Sequence, residues 1–246
     1  QEQESAILGQ EAHIEQLQVQ VSSVPMPNAA DIKQQVREAV GDNVWFCLQA
    51  ASQKDLQAAY KNDQMIHAST PDANIADYSE AGIRLSAAIE REVLMPFFQA
   101  LYPFVLGKRR SEIGGLTLGP TTQYSLSMLP PLLATQWRSV QPGQLSQRER
   151  PDGGVKMVKV KEKGQVTERD RTLLTQFLEQ WEHPMASCLS QKGKQAASSL
   201  DQISKLRNVA AHGESFLYRW QYELLHQLIA GKQGKGGLLR ELFSLA

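Results

Sequence analysis

One long amphipathic stretch, from Ile75 to about Leu106, limits this chain more than any other feature. Ile83, Leu85, Ile89, Val93 and Leu94 recur there at the spacing of an α-helix, which makes them core candidates. Pro96 is the expected site of a kink. Before it, Asn43 is positioned to cap a helix from Val44 to about Met65, with Trp45, Leu48, Leu56, Ala59 and Tyr60 at helical spacing. Ser69 to Asn74 between them has the composition of a turn. Two such helices in succession imply an up-down hairpin.

The same period returns through much of the chain. A short helix capped by Asp31 is expected through Ala39, and others from Thr121 to about Val140 and from Thr167 to about Trp181. A helix from Gly193 to His212 precedes one from Ser215 to Ala230, whose apolar residues include Phe216, Leu217, Trp220, Leu224, Leu225 and Leu228. Gly231 to Gly237 reads as a flexible link to Leu238–Phe243. Val155 to Val160 alternates apolar and basic residues, which suits a strand whose hairpin partner follows the turn at Gly164. The polar stretch from Gln141 to Gly154 is expected to be a mobile loop. The fold class expected is all-α, an up-and-down helical bundle with a short β-hairpin or loop insertion.

Residues 3 to 24 place Ile7, Ile14 and Val21 at one heptad position and Gln10, Leu17 and Val24 at another, before Pro25 and Pro27 end the pattern. That describes a short coiled-coil seam or a helix packed on its own domain. Residues 1–27 thus form an N-terminal helix, and 28–246 one helical domain with a core at about 43–230 and a basic insertion at about 138–171. The chain begins at Gln1 rather than Met, so a piece of a longer protein is expected.

Several classes of function lack support. No apolar run approaches the roughly 20 residues of a membrane helix, and no basic flank with an apolar core opens the chain. A soluble, cytoplasmic protein is expected. Cys47 and Cys188, far apart in sequence, read as reduced core thiols rather than as zinc ligands. No phosphate-binding glycine loop and no serine nucleophile elbow occur. No cofactor is expected.

Zero net charge hides an asymmetry. Residues 1–92 hold six Lys/Arg against fourteen Asp/Glu, and residues 93–246 hold twenty against twelve. The later part is therefore the one suited to a polyanion or, on the plainer view, simply has a solvated basic surface. Arg138 to Arg171, with nine Lys/Arg against five Asp/Glu, is suited to guiding RNA or to keeping an insertion soluble.

Leu206-Arg207-Asn208-Val209-Ala210-Ala211-His212-Gly213 joins a permanent cation to a group that moves protons near neutral pH. Residues five apart on a straight helix differ by about 140° in direction, so Arg207 and His212 should not share a face. They converge if Gly213 ends the helix with a left-handed cap, or if two copies of the motif meet across a dimer axis. The alternative is an Arg paired with a nearby carboxylate, Glu90 or Glu92 among the candidates, and a His satisfied at a helix end. Ala210 and Ala211 allow close backbone approach. His226 reads as a packed histidine, His183 as the end of a helix, and His13 and His67 as facing solvent.

The motif resembles the Arg-x4-6-His signature of the HEPN superfamily, the helical domains of many RNA-cutting toxins and antiviral effectors. The segment Asp77–Glu92 is similar to that superfamily's early helix, in which Ala, an apolar residue and two acidic residues follow the order seen in Ala88-Ile89-Glu90-Arg91-Glu92. The resemblance implies a HEPN-type bundle over about residues 43–230 and a metal-independent endoribonuclease whose homodimer builds one site from two motifs. Arg207 would bind phosphate, His212 would transfer protons, with the negative helix end favouring its acid form, and Asn208 would orient His212 or hold phosphate. It further implies an RNA substrate, a role in toxin–antitoxin, abortive-infection or other antiphage systems, and a regulatory or antitoxin protein or an upstream sensor domain as partner. Many members instead serve as non-catalytic dimerisation, scaffold or binding modules.

Overall fold

Helices make up most of what the computed structural model describes, which is residues 28–134, 145–149, 155–159, 166–212, 216–232 and 236–243. The heptad-patterned segment lies outside these residues. In chain order the helices are α1 (Ala29–Val40), α2 (Asp42–Cys47), α3 (Ala50–Ser69), α4 (Ser79–Ile89), α5 (Met95–Gly107), α6 (Leu129–Leu133), α7 (Glu168–Gln180), α8 (Pro184–Ala211), α9 (Arg219–Ala230) and α10 (Leu238–Phe243). No helix among the described residues is long and apolar enough to cross a membrane.

The expected hairpin of α3 and α4 is present. Asp55 near the start of α3 meets Arg84 at 3.2 Å and Arg91 at 2.8 Å, toward and beyond the end of α4. His67, near the end of α3, meets the Tyr78 ring that precedes α4. The two helices therefore run in opposite directions. Leu56, Ala59, Leu85, Ala88 and Ile89 are fully buried in the shared core. Ile83, expected there, is 43% exposed, because it faces away from the stripe that Leu85 and Ile89 define.

Helix boundaries depart from the periodicity wherever capping or proline overrides it. Asn28, not Asp31, caps α1 by accepting the Ala30 N–H at 3.1 Å. The helix expected from Val44 to Met65 is broken at Leu48 and Gln49, which take extended angles between α2 and α3. The long segment starts at Ser79, and its interior carries a π-helical turn at Glu90–Leu94. There the Met95 N–H reaches back five residues to the Glu90 carbonyl. Pro96 has no N–H to give Glu92 and its ring would crowd that carbonyl, so the wider turn absorbs the misfit at the site where a kink is expected.

Thr121–Val140 does not form the helix its composition suggests. Leu126–Met128 is a short 3-10 turn, α6 ends at Leu133, and residues 135–140 lie outside those described. Pro130 and Pro131 suit a helix start and cannot extend one backwards. Two small antiparallel ladders were placed wrongly or missed. Glu112–Ile113 (β1) pairs with Leu116–Thr117 (β2) through a Gly114-Gly115 turn at positive φ. Val155–Lys159 (β4) pairs with Leu145–Glu149 (β3), so its partner precedes it, within the stretch expected to be a loop.

Toward the C-terminus, α8 begins nine residues before the expected Gly193. His183 starts this helix rather than ending one: its Nδ1 accepts the Met185 N–H at 3.3 Å. Helix α9 starts at Arg219 rather than Ser215, and of its expected apolar residues Phe216 is 55% and Trp220 63% exposed. Cys188 is buried as expected, but Cys47, at the exposed end of α2, is not. Gly237 is no mere spacer. It holds φ +87°, and a Cβ there would lie 2.4 Å from the Ala230 carbonyl carbon, so α10 docks on the end of α9 backbone to backbone.

Helix α7 shows how a buried charge is satisfied. Thr167 and Asp170 form a capping box, with the Asp170 N–H on Thr167 Oγ1 at 3.2 Å and the Thr167 N–H on Asp170 Oδ2 at 3.0 Å. Arg110 adds a 2.6 Å ion pair to the same carboxylate, whose side chain is 3% exposed. Burial alone would raise the Asp170 pKa, but the Thr167 and Arg110 hydrogen bonds hold it below the ordinary value. Asp170→Ala should therefore lower stability by about 3 kcal/mol, through the lost cap and an Arg110 left unpaired. Urea denaturation with an unchanged slope would check this, and a loss below 1 kcal/mol would contradict it.

Candidate functional site

Helix α8 brings the Arg207 motif to the surface in two straight pieces. Lys192 breaks helical geometry at φ −117°, ψ 23°, next to Gly193. A Cβ on Gly193 would sit 3.1 Å from the Leu133 carbonyl, so α8 passes against α6 at a distance only glycine tolerates comfortably. From there Ala196, Ala197, Leu200, Ile203, Leu206 and Ala210 carry the buried stripe to the end of the helix.

At that end α8 lies on α4 through small groups. A Cβ on Gly82 would meet Ala210 Cβ at 3.5 Å and Leu217 Cδ2 at 2.4 Å. The close approach expected of Ala210 is thus a helix–helix contact, while Ala211 stays exposed. Leu217, fully buried, is fastened to the start of α4: the Tyr78 N–H donates to its carbonyl at 2.9 Å, and its own N–H lies 3.2 Å from Ser79 Oγ.

This packing places Arg207 beside the π-helical turn. Its Nε lies 3.3 Å from Glu90 Oε1, with the two side chains 41% and 34% exposed. Of the two acidic partners considered, Glu90 is the one engaged. Glu92 is buried and accepts the Gln49 N–H at 2.9 Å. An ion pair this exposed contributes under about 1 kcal/mol to stability, so its main effect is to orient the guanidinium.

Asn208 is exposed, and its carbonyl accepts the His212 N–H at 3.1 Å, closing the last turn. The helix ends at Ala211, and His212 takes extended angles of φ −90°, ψ 106° with its side chain in solvent. His212 is the cap residue, its N–H still bonded in the helical pattern, so its extended angles redirect the chain that follows rather than the position of its own side chain relative to Arg207. Gly213, the expected left-handed cap, lies outside the described residues. Among the described residues the side-chain partner of Arg207 is Glu90, and at this end of α8 Asn208 and His212 are exposed while Arg207 is half-exposed. Comparison of the chain with protein-family models, curated proteins and solved structures finds no match.

A second cluster of ionisable groups lies between α3 and α9 and escaped sequence reading. Tyr60 hydrogen-bonds His226, Asp63 lies 3.3 Å from His67, and Arg219 lies 2.8 Å from Glu223. His226 is half-buried, as its apolar neighbours suggested, but its ring nitrogen is engaged rather than merely packed. Spacing within one helix signals Arg219 and Glu223; no local pattern links them to residues about 160 positions earlier. Among the described residues, no group of three or more His, Cys, Asp or Glu is placed to hold a metal ion.

Burial lowers the pKa of His226 despite the nearby Glu223 carboxylate, and it lowers that of His183 despite Glu92. Both rings are thus biased toward the neutral form; His183 Nδ1 accepts the Met185 N–H, and His226 Nε2 shares a hydrogen bond with the Tyr60 hydroxyl. A histidine with a depressed folded pKa protonates first in the unfolded chain, so stability falls as pH drops below about 6.5 toward the folded values. The melting temperature should decline between pH 7 and pH 5.5, and His226→Gln should flatten that decline. A profile indifferent to both His226→Gln and His183→Gln would show that other groups set it.

Proposed function

We propose that this chain is a HEPN-like, metal-independent endoribonuclease in which Arg207, His212 and Asn208 from two apposed copies surround one phosphodiester. The observation that carries the reading is the fate of the motif in the fold. Arg207 is oriented by Glu90 yet keeps two-fifths of its side chain in solvent, and His212 projects from the helix end instead of being spent on packing.

The chemistry follows from the residue types. The ribose 2′-oxygen attacks the adjacent phosphorus as its proton leaves, the bond to the 5′-oxygen breaks, and that oxygen takes up a proton. The products are a 2′,3′-cyclic phosphate and a 5′-hydroxyl. Arg207 binds the phosphate oxygens through its planar fork and offsets the charge that gathers on them in the transition state. His212 carries one of the two protons, the imidazole being the side chain whose ordinary pKa is nearest neutrality. Asn208 supplies an amide beside them for phosphate or imidazole. A second copy would add a second Arg207, Asn208 and His212, so that the phosphate is gripped from both sides. A cutting activity of this kind calls for a regulatory partner, an antitoxin or an upstream sensor, and suits toxin–antitoxin, abortive-infection or other antiphage defence.

Purified protein should cut single-stranded RNA in EDTA and leave cyclic phosphate ends. Arg207→Ala and His212→Ala should each lower the rate by about 10²-fold or more with helical content and melting temperature preserved. A mixture of the two variants should regain activity if each dimer then holds one intact Arg and one intact His at a shared cleft. Wild-type protein that leaves RNA intact while still forming dimers would replace this reading with that of a non-catalytic scaffold.

A further inference from the structure

The α3–α9 cluster surrounds a cavity of about 560 Å³. That lies within the range of small-molecule sites, which are typically about 300–1,000 Å³. It is built from three elements: α3 supplies Tyr60, Asp63, Gln64 and His67, α9 supplies Arg219, Glu223 and His226, and Lys232 stands on the rim with α1 closing the side. Lys232 is exposed, whereas the Asp63 side chain is 30% exposed. The cavity thus has a carboxylate on its inner wall and a cation at its mouth.

The protein leaves the Asp63 carboxylate on this wall only partly engaged. His67 Nδ1 lies near one Asp63 oxygen, Oδ1, at 3.3 Å, and also lies 2.9 Å from the Asp63 carbonyl oxygen, so it is shared between them. Burial pushes the Asp63 carboxyl above its ordinary pKa, with Glu223 adding to the rise, although His67 and Arg219 pull it down. Tyr222, also on the wall, stacks on Tyr78 at 5.1 Å.

We propose that this cavity binds a guanine nucleotide, with the base on Asp63 and the phosphate toward Lys232. A carboxylate accepts two parallel N–H bonds, and guanine offers two adjacent donors, the ring N1–H and the exocyclic amine, on one edge. Adenine presents an acceptor beside its amine and cannot make that pair. The Tyr60 hydroxyl, engaged with His226, makes one wall a fixed polar surface, and the Arg219–Glu223 pair keeps the second cation of the cavity in place. Lys232 then meets the phosphate as a point charge at the open end. The site uses none of the motif residues Arg207, Asn208 and His212, so it stands or falls separately from the nuclease reading.

Titration calorimetry of the full chain with GMP, AMP and guanosine tests this. Saturable GMP binding, at least tenfold tighter than AMP, is expected, and Asp63→Asn should weaken GMP tenfold or more. Lys232→Ala should weaken GMP but leave guanosine unchanged, and Arg207→Ala should leave GMP binding intact. Should Asp63→Asn fail to fold, by circular dichroism, the wild-type ligand series and the rim variant Lys232→Ala decide the matter. A short RNA containing guanine that displaces GMP would identify the source of the nucleotide as a chain, and failure to displace would identify it as free. Absence of GMP binding at millimolar concentration, equal affinity for AMP, or insensitivity to Asp63→Asn would overturn the proposal.

Discussion

Where α4 crosses the end of α8, Gly82 and Ala210 leave room for the two backbones to approach, and Leu217 fills what remains. Everything around Arg207 depends on that spacing. A larger residue at position 82 would meet Leu217 and move α8 outward, and a pair at 3.3 Å such as Arg207–Glu90 does not survive a shift of an ångström or two. The close contact also turns the π-helical stretch toward α8. Within that stretch Glu90 and Glu92, two residues apart and so on opposite sides of the helix, divide their work, one outward to Arg207 and one inward to the Gln49 N–H.

The acidic first part and the basic second part of the chain meet at these contacts. Glu90 with Arg207 is a bridge between them, and Arg110 with Asp170 is a pair inside the basic part. Asp55 holds Arg84 and Arg91 within the acidic part, so those cations are committed to joining α3 to α4. Positive charge left for an anionic ligand comes from residues later in the chain. The charge asymmetry is thus partly a structural device, consumed at helix interfaces, and partly surface.

Helical character was legible from apolar periodicity, because Leu85, Ile89, Leu200 and Leu225 occupy buried stripes that any helical packing would need. Positions set by tertiary context were not. Ile83, Phe216 and Trp220 carry the same hydrophobicity as core residues, but the described residues leave them exposed. The break at Leu48–Gln49 has neither Pro nor Gly to announce it; the Gln49 N–H is taken by Glu92, over forty residues away. For the candidate site, residue types marked Arg207 and His212, whereas the choice of Glu90 over Glu92 depended on which face of this helix meets the end of α8. The Tyr60–His226 contact joins residues 166 positions apart, each unremarkable on its own helix.

Leu217 also ties the two candidate sites to one structural element. The segment from His212 to Arg219 leaves the motif helix, passes through the buried Leu217, and begins the helix that lines the cavity with Arg219 and Glu223. Asp77, Tyr78 and Ser79 all bond to Leu217, and Tyr78 in turn stacks on Tyr222 behind the cavity. The end of the motif helix packs on α4 beside Leu217, and the helix that lines the cavity begins two residues after it, so both sites share Leu217 as a common support.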